Sequence, residues 1–228
     1  MNVKELQERL GYHYRDPELL RIALTHPSYV NEARHQGKNN QRLEFLGDSV
    51  LSIVVAQHLF EHYTHLPEGE LTKLRAYLVC EKSLHGWAKQ LGLGHFLLLG
   101  KGEENTGGRE RPSILADAFE AVIASIYLDG GLEEARSFIL RFVPEQLDVE
   151  KVTYINDYKT ALQEIIQKNK EEKVEYVLVG ENGPDHNKTF QVEVHLNSNV
   201  IGSGNGHSKK QAEQAAAKEA LSLMGYET

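Results

Sequence analysis

The spacing of apolar residues changes once along this 228-residue chain, and the change divides it in two. Up to about residue 146, apolar side chains recur every three or four positions. They do so at Leu6 and Leu10, at Leu19, Leu20, Ala23 and Leu24, and then across 43–60, 71–79, 84–91, 114–128 and 132–142. That period lays an apolar stripe along a helix. Gly and Pro punctuate the gaps, at Pro27, 67–69, Gly92, Gly94, 100–108, Gly130, Gly131 and Pro144. Past residue 156 the period falls to two. Phe190, Val192, Val194 and Leu196 alternate with Gln191, Glu193 and His195, as on a strand with one buried face. The pattern predicts a helix over 158–168, strands over 173–179, 188–196 and 200–203, turns at 182–185 and 197–199, and an Ala-rich helix over 209–224. The expectation is an all-α domain at 1–148, a linker at 149–156 and an α+β domain of order α-β-β-β-α at 157–226.

Several classes are disfavoured at once. No run of eighteen apolar residues suggests a membrane span. The start, MNVKELQERLGYHYRD, lacks the basic and apolar regions of a signal peptide. Cys80 is the only cysteine, which leaves no disulfide framework and no cysteine-based zinc site, and the expected location is the cytoplasm. The net charge of -8 counts against a polyanionic partner. Local patches decide such binding, however, rather than the total. From residue 157 onward there are 8 lysines and 11 acids, a net of -3, so a polyanion would need a local stripe and would bind with strong salt dependence.

The apolar run LEFLGDSVLSIVVA contains two acids, Glu44 and Asp48. They stand four residues apart and share one helix face, where like charges cost roughly 0.2–0.5 kcal/mol. Leu51 follows on that face, so it is partly core, and burying unpaired carboxylates costs more. A second run, ILADAFEAVIASIYLD, offers Asp117 and Glu120 at i, i+3 in the same setting. Two such helices can converge their four carboxylates on a hard cation, Mg²⁺ or Mn²⁺. A metal-acidified water would then serve phosphodiester hydrolysis. The competing reading is structural: the acids pair with Arg42, Lys73, Arg75 or Arg111 as ordinary salt bridges.

RLEFLGDSVLS resembles the signature of the ribonuclease III family, and ILADAFEAVIASIYLDGG resembles its second acidic motif. ALTHPSY at 23–29, PEGELTKLRA at 67–76 and GKGEENTGGRERPSILADAFEA at 100–121 follow its pattern in the family's order. The resemblance implies that Glu44, Asp48, Asp117 and Glu120 are the catalytic, metal-binding acids, with Asp48 and Glu120 weighing most in metal binding. Gln41 departs from the pattern, standing where the family more often has Glu. That position and Glu68 correspond to accessory groups near the cleavage site and the dimer contact. The amide keeps hydrogen bonding and loses the charge.

In the second domain, Ser208 is a good N-cap, and Gln211 completes a capping box. Lys209 and Lys210 fall in the first turn, where the helix dipole disfavours cations by roughly 0.3–1 kcal/mol. Phosphate oxygens arriving at that helix start would offset the cost. With DYKTALQEI at 157–165 and GPDHNKTF at 183–190, the segment resembles the double-stranded-RNA-binding domain. The resemblance implies that Thr160, Gln163 and Glu164 face one minor groove, His186 and Asn187 the next, and Lys209 and Lys210 the phosphates between them, reading A-form shape rather than sequence.

Other signals are weaker. His58, His62 and His65 have helical spacing without an acid to complete a zinc signature. The glycine-rich 100–108 lacks the ending of a nucleotide P-loop, so no nucleotide cofactor is expected, and it reads as a flexible loop. Trp87 reads as core, His26 as a hydrogen-bonding residue and Cys80 as inert. The resulting expectation is an all-α endonuclease domain joined to an α+β double-stranded-RNA-binding domain. Such an enzyme would be Mg²⁺-dependent, would act as a homodimer on double-stranded RNA such as ribosomal RNA precursors, and would leave 5′-phosphate and 3′-hydroxyl ends with short 3′ overhangs. The alternatives are a double-stranded-RNA-binding protein that does not cut and a carboxylate-bridged di-metal bundle. The second needs Glu-x-x-His pairs, and Asp117-Ala-Phe-Glu120 has Glu in place of His.

Overall fold

A computed structural model describes residues 3–33, 37–147, 158–167, 172–184 and 188–226. Contacts within the chain divide it into two compact units, Met1–Gln146 and Leu147–Thr228. The expected linker at 149–156 and the expected RNA contacts His186 and Asn187 lie outside the described residues.

The first unit is helical: α1 (Val3–Leu10), α2 (Pro17–Ala23), α3 (Pro27–Ala33), α4 (Gln41–His62), α5 (Glu68–Leu78), α6 (Glu81–Leu91), α7 (Lys101–Asn105), α8 (Pro112–Gly130) and α9 (Leu132–Leu140). Helix α8 is its centre. Between Ile114 and Ile126 every residue is buried except Asp117 and Glu120. A helix apolar nearly all round must be enclosed on several sides, and α2, α4, α6 and α9 pack against it. Trp87 joins this core, its ring 5.7 Å from that of Phe119. Helix α4 is long and apolar enough by composition to cross a membrane. It carries three acids, however, Glu44, Asp48 and Glu61, and buries Leu43, Val50, Leu51, Val54, Val55 and Leu59 in the core.

Two segments differ from their sequence reading. Pro27 opens α3 instead of marking a break, since proline at a first helical position gives up an N–H that has no helical partner. The segment 100–108 contains α7 and is held rather than loose. The Gly100 N–H donates to Ser28 Oγ (2.9 Å), and the Lys101 and Gly102 N–H groups donate to the Glu32 carboxylate (2.7 and 2.9 Å). Arg109 then ties Glu104 to the Gly94 and Leu97 carbonyls.

The second unit has the order α10 (Tyr158–Ile166), β1 (Val174–Asn182), β2 (Thr189–Leu196), β3 (Asn199–Gly206) and α11 (Lys209–Leu223), with an antiparallel sheet in the order β1-β2-β3. Asn197 and Ser198 make the tight β2–β3 turn with φ of 49° and 72°. Strand β3 runs well beyond the predicted 200–203. Glycine weakens the strand signal, yet Gly202, Gly204 and Gly206 are what this strand needs. A Cβ on any of them would strike the backbone of α11 at Ala212, Ala216 or Ala220. Alanine on the helix and glycine on the strand let the two approach closely, around a core of Leu162, Ile166, Val192, Val194 and Leu221.

Candidate active site

Helices α4 and α8 meet at Gly47, which has no side chain to hold them apart: a Cβ there would overlap the Glu120 carbonyl. This crossing sets the acids face to face. One carboxylate oxygen each from Glu44, Asp117 and Glu120 lies within 4.8 Å of the other two, and all three residues are half-buried. Among the described residues it is the only such group of three or more metal-ligating side chains. Asp48 stands one turn beyond Glu44, is exposed, and falls outside the group. The expected partial burial is therefore corrected for Asp48, although its charge still acts on both Glu120 and Glu44. Leu51 does turn into the core, but at Asp48 the helix surface has already rotated to solvent.

The electrostatics follow from that geometry. Burial pushes the Glu120 carboxyl up to about 8, helped by the negative charges of Asp48, Asp117 and Glu44. Glu44 is also raised, first by burial and then by Asp117 and Asp48. Asp117 is raised by burial, which His26 partly offsets. The salt-bridge alternative finds no support here. Arg111 pairs with Glu103 and Lys73 with Glu70, and none of the four acids forms an ion pair among the described residues. Three carboxylates that repel one another, without a cation, are a fitting donor set for a hard divalent metal.

Of the accessory positions, Gln41 stands one turn before Glu44 on α4, and Glu68 opens α5. Gln41 is exposed at the first position of α4. Glu68 is exposed at the first position of α5, where it accepts a hydrogen bond from Thr72 Oγ1 (3.0 Å). It borders a surface groove with Ile53, Phe60, Leu71 and Arg75. His26 is half-buried, with Nδ1 2.8 Å from Ser28 Oγ, and burial holds its pKa below the ordinary value. His58 and His62 stack, ring centroids 4.2 Å apart. The position that the sequence reading overlooked is Gly47. Its signal was a glycine inside an apolar helix, where it costs about 1 kcal/mol relative to alanine and so calls for a packing reason.

In the second unit Thr160, Gln163 and Glu164 share a face of α10. Lys209 and Lys210 are exposed in the first turn of α11. Ser208 Oγ accepts from the Gln211 N–H (3.2 Å), as expected of the cap. The return bond differs from the expected box: Gln211 Oε1 accepts from the His207 N–H (3.0 Å), one residue before the cap.

Comparison with known proteins agrees with both units. Residues 16–147 match the family described as Ribonuclease-III-like, and residues 158–224 match the double-stranded RNA binding motif. A Ribonuclease 3 from Oceanobacillus iheyensis is 49% identical over 222 residues, covering 97% of each chain. One from Caldanaerobacter subterraneus is 51% identical over 221 residues, covering 96% of this chain and 97% of the other. The solved nuclease domain of ribonuclease III from Campylobacter jejuni superposes with a TM-score of 0.59 at 46% identity, over 64% of this chain and 99% of that one. A second structure of that domain, described as flexible in a region involved in dimer formation, gives a TM-score of 0.58 at 45% identity, over 68% of this chain and 100% of that one. A helical nuclease fold, an acid cluster suited to a metal and a following double-stranded-RNA-binding fold thus coincide with full-length relatives: the chain belongs to the ribonuclease III family and is an endoribonuclease for double-stranded RNA.

Proposed function

We propose that this chain hydrolyses double-stranded RNA with Mg²⁺, for which Mn²⁺ can substitute, and leaves 5′-phosphate and 3′-hydroxyl ends with short 3′ overhangs. The observation that carries the reading is the trio of Glu44, Asp117 and Glu120, drawn together without a counter-cation. These three would hold the ion, and Asp48 adds negative charge beside Glu120. A bound Mg²⁺ would acidify a water and offset charge building on the scissile phosphate. In the reaction, a water oxygen bonds to phosphorus, the bond from phosphorus to the 3′ oxygen breaks, and that oxygen takes a proton.

Two subunits would pair through the nuclease domain so that each cuts one strand. Phe45, Ile53 and Phe60 on α4 support this pairing, being 78%, 59% and 73% exposed. Large apolar side chains grouped on one helix face mark an interaction surface. We assign the nuclease domain to 1–148, the linker to 149–156 and the RNA-binding domain to 157–226. Thr160, Gln163, Glu164, His186 and Asn187 would face the minor grooves, and Lys209 and Lys210 the phosphates. Gln41 and Glu68 would act as accessory groups beside the cut. The natural substrates on this reading are ribosomal RNA precursors and other structured transcripts of the cytoplasm.

The test is cleavage of a labelled long RNA duplex with Mg²⁺, with EDTA, and by Glu120→Gln. Cutting by the wild type with Mg²⁺ alone is the expected result. Cutting in EDTA, or undiminished cutting by Glu120→Gln, would overturn the metal-site reading.

A further inference from the structure

Every cation of the second domain is a lysine, and acids outnumber them 11 to 8. One acid sits among the lysines beside the start of α11. Glu181, near the end of β1, places Oε2 2.7 Å from Lys188 Nζ and Oε1 3.8 Å from Lys209 Nζ. The two ammonium groups also lie over one ring, that of Phe190, at 5.7 and 5.9 Å from its centroid. Glu181 and Phe190 pair directly across β1 and β2, so the sheet register fixes this arrangement. Hydrogen bonding to Lys188 and the charges of Lys188 and Lys209 hold the Glu181 carboxyl below its ordinary pKa, and a glutamate is ionised at neutral pH in any case.

We propose that the Glu181 carboxylate occupies, in the free protein, the place of an RNA phosphate between Lys188 and Lys209, and that it limits the affinity of this domain for double-stranded RNA. Lys188 is then a phosphate contact in its own right, presented with Lys209 on the Phe190 ring. A carboxylate and a phosphate oxygen compete for the same ammonium donors. Binding therefore exchanges one anion for another, and the local charge offered to the duplex is one unit instead of two. An exposed ion pair of this kind is weak enough for a phosphate to displace. For a nuclease that must release its cut duplex, a built-in competitor favours turnover. The inference rests on the assignment of Lys209 and Lys210 to phosphates.

The experiment measures binding of the full chain to a labelled RNA duplex of about 20 base pairs, long enough for one such domain. It is run in EDTA across a range of salt concentrations. Glu181→Gln should bind about fivefold more tightly at low salt, with a slope of log affinity against log salt steeper by about one. Lys188→Gln should weaken binding and make the slope shallower, and its effect should grow when combined with Glu181→Gln. Thermal unfolding shows whether each variant keeps the fold. If Lys210→Gln weakens binding while Glu181→Gln leaves affinity and slope unchanged or weakens them, the competitor role is wrong and the phosphate contacts stand. If Lys210→Gln changes nothing, the underlying assignment fails, and the inference with it.

Discussion

A Cβ added to Gly47 would overlap the carbonyl oxygen of Glu120. The two helices that carry the acids touch backbone to backbone at that point, and the touch sets the separation of Glu44 from Glu120. The obstacle is a helix backbone, which cannot swing aside as a side chain would. Gly47→Ala should therefore cost about 1–3 kcal/mol of stability and lower cleavage by more than tenfold. Gly86→Ala, with nothing within 4 Å of the new methyl, should stabilise its helix by roughly 0.5–1 kcal/mol. Thermal unfolding and cleavage rates of both variants check the pair.

Glu120 keeps its proton to about pH 8 in the fold, against an ordinary value of 4.5. Between those values the native state binds more protons than the unfolded chain, so stability falls as pH rises. The penalty is absent below about 4.5 and complete above about 8. Metal-free protein should thus melt at progressively lower temperature from pH 5 to pH 8. Glu120→Gln should flatten that slope, and Mg²⁺ should restore stability most at the alkaline end because it displaces the proton. Melting curves across pH with EDTA or Mg²⁺ measure this, and a wild-type slope equal to that of Glu120→Gln would count against it.

Asp48 and Glu44 differ in place, so their amides should differ in effect. Glu44→Gln and Asp117→Asn each remove one of three convergent oxygens and should weaken metal binding more than tenfold. Asp48→Asn removes only a neighbouring charge and should weaken it less, on the order of the lower end of the 10–100-fold seen for outer groups. Calorimetric titration with Mn²⁺ ranks the variants.

Much of this was legible in the sequence because helix period and strand period announce themselves, and acids in apolar helices stand out against their surroundings. The pairing of Glu44 with Asp117 and Glu120 needed only the idea of two converging helices. The exclusion of Asp48 from the group was not legible, since helical spacing gives direction around one axis and says nothing of where the partner helix crosses. Strand β3 was misjudged for a related reason. Its glycines look like strand breakers until the alanine face of α11 shows why no side chain fits there. The held segment at 100–108 depends on Ser28 and Glu32, about seventy residues away in sequence, which no local pattern reveals.

Phe45 is 78% exposed and lies next to Glu44, so a second copy docking on this face would sit beside the acids. Phe45→Glu should convert a dimer to a monomer and reduce cutting of both strands together, because the isolated subunit presents one acid cluster. Sedimentation at micromolar concentration checks the mass. A variant that remains dimeric would mean that another surface pairs the subunits.

Gly204 offers the sharpest test of the second domain. A Cβ there would strike the backbone of α11 at Ala212 and Ala216, and no rotamer can relieve it. The unit is small, and a domain of this size has little stability in reserve. Gly204→Val should therefore unfold the second domain and abolish its binding to an RNA duplex, while the first unit keeps its helical melting transition and its metal affinity. Gly180→Ala meets only the movable Gln191 side chain at 3.4 Å or beyond and should bind RNA as the wild type does. If Gly204→Val instead lowered metal affinity in the first unit, the two units would not fold independently.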